Sequence, residues 1–104
     1  VPPVRRTDEG VEGFVLHIDK FGNVVTSLKE SQLDGLGLEL GSLEIWINGH
    51  NISRSVRYYA EAPENSPVAL VGSLGYIEVA ALKKPASRII DARRGMKVRF
   101  SSRT

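Results

Sequence analysis

Cysteine is absent from the 104 residues. That excludes disulfides, thiolate metal sites and a thiol nucleophile, and it makes a cytoplasmic setting the default expectation. Aromatic residues are scarce at 7%, a thin supply for a surface that reads nucleic acid by stacking. No apolar run approaches the roughly 20 residues a membrane helix needs. The opening Val1-Pro2-Pro3-Val4-Arg5-Arg6 has none of the apolar stretch of a secretory signal. Val1 rather than Met stands first, as expected of a piece processed or excised from something longer. What remains is ordinary for a globular protein: 41% hydrophobic and 25% charged residues, in a chain long enough for one core and too short for two.

The net charge of +2 is modest but unevenly spread. From Lys83 to Arg103 the chain carries eight basic residues (Lys83, Lys84, Arg88, Arg93, Arg94, Lys97, Arg99, Arg103) against one acid, Asp91. Such a stretch is either a solvated face or an anion-binding one.

Taken in order, residues 1–10 read as an inter-domain linker: two prolines fix an extended path and Arg5 to Gly10 show no apolar period. Val11 to Ile18 favours a strand, and the β-branched run after Asn23 pairs with it as a hairpin. Leu28, Leu33 and Leu36 are spaced for a short helical face over Lys29 to Leu36, with Ser27 as cap and Glu30 at the capping-box position. Leu43 to Ile47 alternates as a strand. Asn48-Gly49-His50-Asn51 turns into a second arm over Ile52 to Ala60. Pro63 to Pro67 is a loop, Val68 to Val71 and Tyr76 to Ala80 are strands flanking Gly72-Ser73-Leu74-Gly75, and Lys84 to Arg94 has room for one helical turn. Met96 to Phe100 closes the chain as a strand. The pattern predicts an all-β fold, a small antiparallel barrel or sandwich of six to seven strands with one or two short helical turns.

No catalytic set is visible. His17 and His50 have no thiol and no serine elbow beside them, and neither gathers a metal cluster with nearby carboxylates. Binding chemistry is better represented. Ile18-Asp19-Lys20-Phe21-Gly22-Asn23 is first of all a hairpin turn, with Gly22 free to take positive φ and Asp19 and Asn23 able to bond nearby backbone. The carboxamide of Asn23 also suits an adenine edge, accepting from N6 while donating to N7. A neighbouring aromatic can stack on the base, worth about 1–3 kcal/mol in known cases. Asp19 suits an ammonium group, and the Gly72–Gly75 turn can aim N–H groups and a hydroxyl at a carboxylate or phosphate.

These two blocks together resemble one family. Ile18-Asp19-Lys20-Phe21-Gly22-Asn23-Val24-Val25-Thr26 is similar to the Ile-Asp-x-Phe-Gly-Asn-x-x-Thr hallmark of the S-adenosyl-L-methionine hydroxide adenosyltransferases, whose halide-using relatives are the fluorinase and chlorinase. Gly72-Ser73-Leu74-Gly75-Tyr76-Ile77-Glu78-Val79-Ala80 is similar to the family's Gly-Ser-x-Gly-x-Leu-Glu-Ile-Ala, and Gly95-Met96-Lys97-Val98 resembles its last strand. The resemblance implies that residues 11–104 form a carboxy-terminal β-barrel. The barrel would follow an amino-terminal α/β catalytic domain absent from this chain, within a homotrimer.

It further implies a small-molecule substrate, S-adenosyl-L-methionine, hydrolysed to adenosine and L-methionine, with no other cofactor and no membrane. Asn23 would hold the adenine edge and Asp19 the methionine amino group. Phe21 with Tyr58 or Tyr59 would wall the adenine, and Ser73 with Leu74 would meet the methionine carboxylate. Bond-making residues would lie in the absent domain, leaving this domain inactive alone. Val25 and Leu74 stand where halogenating members carry Trp and Arg, which argues for hydroxide-type chemistry. Ser27 and Leu82 replace residues that are often asparagine in the family. Two other readings stand beside this one: a small basic barrel binding nucleic acid through the Lys83–Arg103 stretch with Tyr58, Tyr59 or Trp46, and a purely structural trimerisation module.

Overall fold

The computed structural model describes residues 2–103. Eight strands form one antiparallel sheet: β1 (Arg5–Thr7), β2 (Gly10–Ile18), β3 (Val24–Lys29), β4 (Leu43–Ile47), β5 (His50–Ile52), β6 (Val68–Val71), β7 (Tyr76–Ala80) and β8 (Lys97–Ser102). Seven of them run in the order β5-β4-β8-β2-β3-β7-β6, and β1 lies against β2. The sheet curls until its two ends meet. Ala69 on β6 donates to the Arg54 carbonyl at 2.8 Å and accepts from the Val56 amide at 2.9 Å. The result is a nearly closed seven-strand barrel, one of the two forms, barrel or sandwich, that the alternation in the sequence predicts.

Strand β2 makes the corner. Residues 11–14 pair with β8, while 15–18 pair with β3 across a bulge between Val15 and His17. β1 and β3 share the same edge of β2, one after the other, and Ser27 fills the junction between them. Its hydroxyl accepts from the Phe14 amide at 2.9 Å and donates to the Pro3 carbonyl at 2.6 Å. A backbone donor and acceptor that no strand reaches are thereby satisfied inside the fold.

The core follows the alternation: Val11, Val15, Val24, Leu28, Ile45, Ile47, Ile77, Val79, Val98 and Phe100 are all buried. One barrel mouth is plugged by a single-turn helix, α1 (Ala86–Ile90), through Ala86 and Ile90. Its ends are tied to two strand turns. The Ser87 amide donates to the Gly22 carbonyl at 2.9 Å, and Asn48 Nδ2 donates to the Ile90 carbonyl at 2.9 Å. Leu33 and Leu38, beside the turns that follow β3, are buried in the same core.

Three local expectations change. The helical face over Lys29 to Leu36 is two 3₁₀ turns, Glu30–Gln32 and Asp34–Leu36, because Gly37 at φ +72° stops the chain before an α-helix can nucleate. Ser27 is not its cap but a buried β3 residue, and Gln32 rather than Glu30 accepts from the Lys29 amide, at 2.9 Å. The arm after the Asn48-Gly49 turn is paired only to Ile52, since the chain then leaves β4 to close the barrel on β6. The extended stretch at 1–10 contains a paired strand, β1.

Candidate functional site

The β2–β3 turn is held by its own polar side chains. Asp19 and Asn23 close it, with the Asp19 amide donating to the Asn23 carbonyl at 3.1 Å and the Gly22 amide to the Asp19 carbonyl at 2.9 Å. The Asp19 carboxylate then accepts three more bonds: Oδ1 takes the amides of Phe21 and Asn23, both at 2.9 Å, and Oδ2 takes Asn23 Nδ2 at 3.1 Å. An acceptor-only partner fixes which way the Asn23 amide points. One N–H is spent on Asp19, leaving the other N–H and the oxygen free, the pair an adenine edge requires. Gly22 is needed twice over. It sits at φ +82°, and a Cβ there would lie 2.3 Å from the Pro85 ring. Phe21, at the turn's tip, is 66% exposed with Lys20 Nζ 5.3 Å from its ring centre.

The second turn, Gly72–Gly75, joins β6 to β7. It is closed by the Gly75 amide donating to the Gly72 carbonyl at 2.9 Å, and the Glu30 amide donates to the Gly75 carbonyl at 2.8 Å. Ser73 and Leu74 project from it, Leu74 82% exposed. The β3–β7 register, Val24 opposite Val79 and Lys29 opposite Tyr76, puts the two turns at opposite ends of this strand pair. Five strand residues separate them, on the order of 15 Å.

Between the turns stands Glu78. Its cross-strand neighbours are Val25 on β3 and Leu70 on β6, so it belongs to the row that faces outward from the barrel. Gly72 makes room for its carboxylate: a Cβ on Gly72 would fall 1.7 Å from Glu78 Oε2. Burial pushes the Glu78 carboxyl up from its ordinary range, and the Asp19 charge pushes it further the same way. Glu78 is thus electrostatically coupled to one turn and packed on the other. In the sequence it stands only as part of a motif. The signal that singles it out is a lone acid in Ile77-Glu78-Val79-Ala80 with no basic residue opposite it on either side.

The tyrosines divide. Tyr59 Oη donates to the Ala81 carbonyl at 2.8 Å, just past the end of β7 that lies beside Asn23. Tyr58 is 67% exposed and lines a shallow concavity with Leu40, Arg54, Arg57 and Glu61. The structure therefore brings Asp19, Phe21 and Asn23 into one turn and anchors Tyr59 at the same end, with Ser73 and Leu74 at the other.

Several charged groups elsewhere are committed to one another. A concavity of about 590 Å³ is lined by Arg5, Arg6, Asp8, Glu9, Lys97 and Arg99 among others. Its members bond internally: Arg5 to Glu12 at 3.1 Å, Lys97 to Glu12 at 3.7 Å and Arg99 to the Glu9 carbonyl at 3.3 Å. Arg99 also lies 4.9 Å from the Trp46 ring centre, covering the face that a base would need. His17 and His50 are exposed, and among the described residues no three His, Asp or Glu side chains gather as a metal site.

Residues 13–99 match the family model described as the SAM hydroxide adenosyltransferase C-terminal domain. Among curated proteins, the chain is 36% identical over 92 residues to an (R)-S-adenosyl-L-methionine hydrolase of Thermus thermophilus, covering 88% of this chain and 32% of that protein. The chain thus spans about a third of the length of this relative. Among solved structures, a conserved hypothetical protein from Thermus thermophilus superposes with a TM-score of 0.72 at 34% identity, over 96% of this chain and 38% of the other. An uncharacterised conserved protein from Thermotoga maritima gives 0.78 at 18% identity, over 93% and 38%, a likeness of fold alone. With its two motif turns placed and most of its length matched, the chain belongs to the SAM hydroxide adenosyltransferase C-terminal domain family.

Proposed function

We propose that this barrel is the substrate-binding part of an enzyme that hydrolyses S-adenosyl-L-methionine to adenosine and L-methionine. The observation that carries the reading is the Asp19–Asn23 turn, in which Asp19 orients the Asn23 amide so that one N–H and its oxygen remain free for an adenine edge. Phe21, exposed at the tip, offers its ring to one face of the base, and Tyr59 or Tyr58 supplies a second wall. Ser73 and Leu74 receive the methionine carboxylate at the far end of β7. A ligand with chemically different ends fits two different turns on the order of 15 Å apart.

In this reaction a water or hydroxide oxygen bonds to C5′ as the C5′–S bond breaks. The bonding pair leaves with sulfur, which passes from sulfonium to neutral thioether, and the proton goes to solvent or a base. Water is the only second reactant. The barrel contributes orientation and exclusion of bulk water, effects that supply much of a displacement's rate. The groups that handle the attacking water belong to the further part of the protein. Val25 and Leu74, small or apolar where halogenating relatives are larger or basic, favour hydroxide over halide. A homotrimer, in which a neighbouring subunit covers Phe21 and Leu74, completes the proposal, as does a cytoplasmic setting for an enzyme using a soluble metabolite.

The experiment is Asn23→Ala in the full-length protein, with calorimetric titration of adenosine and of S-adenosyl-L-methionine. Loss of a bidentate base contact predicts at least about tenfold weaker binding of both. Unchanged affinity sinks the assignment. The nucleic-acid reading loses support because Arg99 occupies the Trp46 ring.

A further inference from the structure

Resting on the site reading above, the structure assigns a second anion to that site. Asp19, the residue the motif suggests for the methionine amino group, has most of its acceptor capacity engaged. Oδ1 takes two backbone amides and Oδ2 takes the Asn23 side chain, which leaves one lone pair on Oδ2. Glu78 is in the reverse condition. Its carboxylate is half-buried, yet among the described residues it forms no hydrogen bond and no ion pair, and its cross-strand neighbours Val25 and Leu70 are apolar. A partly desolvated carboxylate without a partner is unfavourable, and a second negative charge nearby makes it more so. A cation bound at Glu78 relieves both costs.

We propose that Glu78 binds the α-ammonium of the substrate's methionine moiety and so sets the preference for amino-acid-bearing nucleosides over neutral ones. The choice of ammonium over sulfonium follows from connectivity. The α-ammonium and the carboxylate share one carbon, so if Ser73 holds the carboxylate, the ammonium must lie beside the Gly72–Gly75 turn. Glu78 packs against Gly72, whereas the Asp19 backbone belongs to the turn at the other end of β7. Gly72 is then a specificity feature itself, because any side chain there would displace the carboxylate.

The test uses Glu78→Gln in the full-length protein and three ligands: S-adenosyl-L-methionine, S-adenosyl-L-homocysteine, which keeps the ammonium and lacks the sulfonium charge, and 5′-methylthioadenosine, which has neither. Loss of a charge-assisted bond predicts that the first two bind about tenfold more weakly while the third changes less than about twofold. Equal loss for all three would assign Glu78 a structural role and overturn the proposal. Loss confined to S-adenosyl-L-methionine would place it at the sulfonium and overturn the ammonium assignment, and no loss for any ligand would also overturn it. Asn23→Ala, run in parallel, separates the two claims. If it weakens all three ligands while Glu78→Gln weakens none, only the Glu78 assignment fails; if it weakens none, the site itself is misplaced.

Discussion

Glu12 and Glu78 occupy comparable places on two outer faces of the barrel. Each stands inside a strand on a row pointing away from the core, with a strand on either side. Glu12 lies in a row that crosses five strands, Arg5, Glu12, Arg99, Trp46 and Asn51. Arg5 and Lys97 hold its carboxylate, and Arg99 beside it stacks on Trp46. The row through Glu78 reads His17, Val25, Glu78, Leu70, with no cation beside the acid. The first face has spent its charges on itself. The second keeps a carboxylate without a counterion between two motif turns that expose Phe21 and Leu74. Buried or half-buried charge is ordinarily paired, and where a fold leaves it unpaired beside a cleft the position is a functional candidate.

The largest blow to the open face comes through Gly22. An alanine there must adopt φ near +82° and push against the Pro85 ring, which α1 holds in place. The two penalties together predict about 2–4 kcal/mol lost in urea unfolding, with ligand affinity falling as the turn deforms. A loss below about 1 kcal/mol would show that the turn moves freely, and the contrast between a rigid site and a solvated loop would collapse.

A smaller change sharpens the closed side. Glu12→Ala removes the acceptor for Arg5 and Lys97, but both cations are well exposed and screened. The expected cost is about 0.2–1 kcal/mol, shrinking with added salt, with S-adenosyl-L-methionine affinity unchanged. If binding weakened markedly, the closed face would belong to the site after all.

How far the sequence reveals this contrast depends on range. Alternation at Leu43, Ile45 and Ile47 and the turn chemistry of Asp19–Asn23 are local, and both are legible. The closure of the barrel is not, because it depends on Ser55 and Val56 meeting Ala69, a pairing with no periodic signature. Ser27 reads as a helix cap from its neighbours. Only the shared edge of β1 and β3 along β2 reveals why a hydroxyl is buried there. The candidate site divides in the same way. Asp19, Phe21 and Asn23 are legible as one turn, whereas the position of Glu78 between the turns needs the β3–β7 and β6–β7 registers.

The smallest expected effect has the opposite sign from the other two. The folded-state pKa of Glu78 lies above its ordinary value of 4.5, because burial and then Asp19 disfavour the charged form. Below the ordinary value the carboxyl is protonated whether the chain is folded or unfolded, and no penalty exists. As pH rises through the raised folded value the folded state must give up a proton it holds more tightly than the unfolded chain does, so stability is lost and stays lost at neutral pH. Glu78→Gln removes that titration. It should stabilise the protein at pH 7 by under about 1 kcal/mol, since the group is half exposed and screened, and the gain should vanish by about pH 4. Thermal unfolding at the two pH values measures it. A variant more stable than wild type yet weaker for S-adenosyl-L-methionine would mark Glu78 as a charge kept for the ligand at the expense of the fold. Destabilisation at pH 7 would instead reveal a structural partner for the carboxylate and make the two glutamates alike.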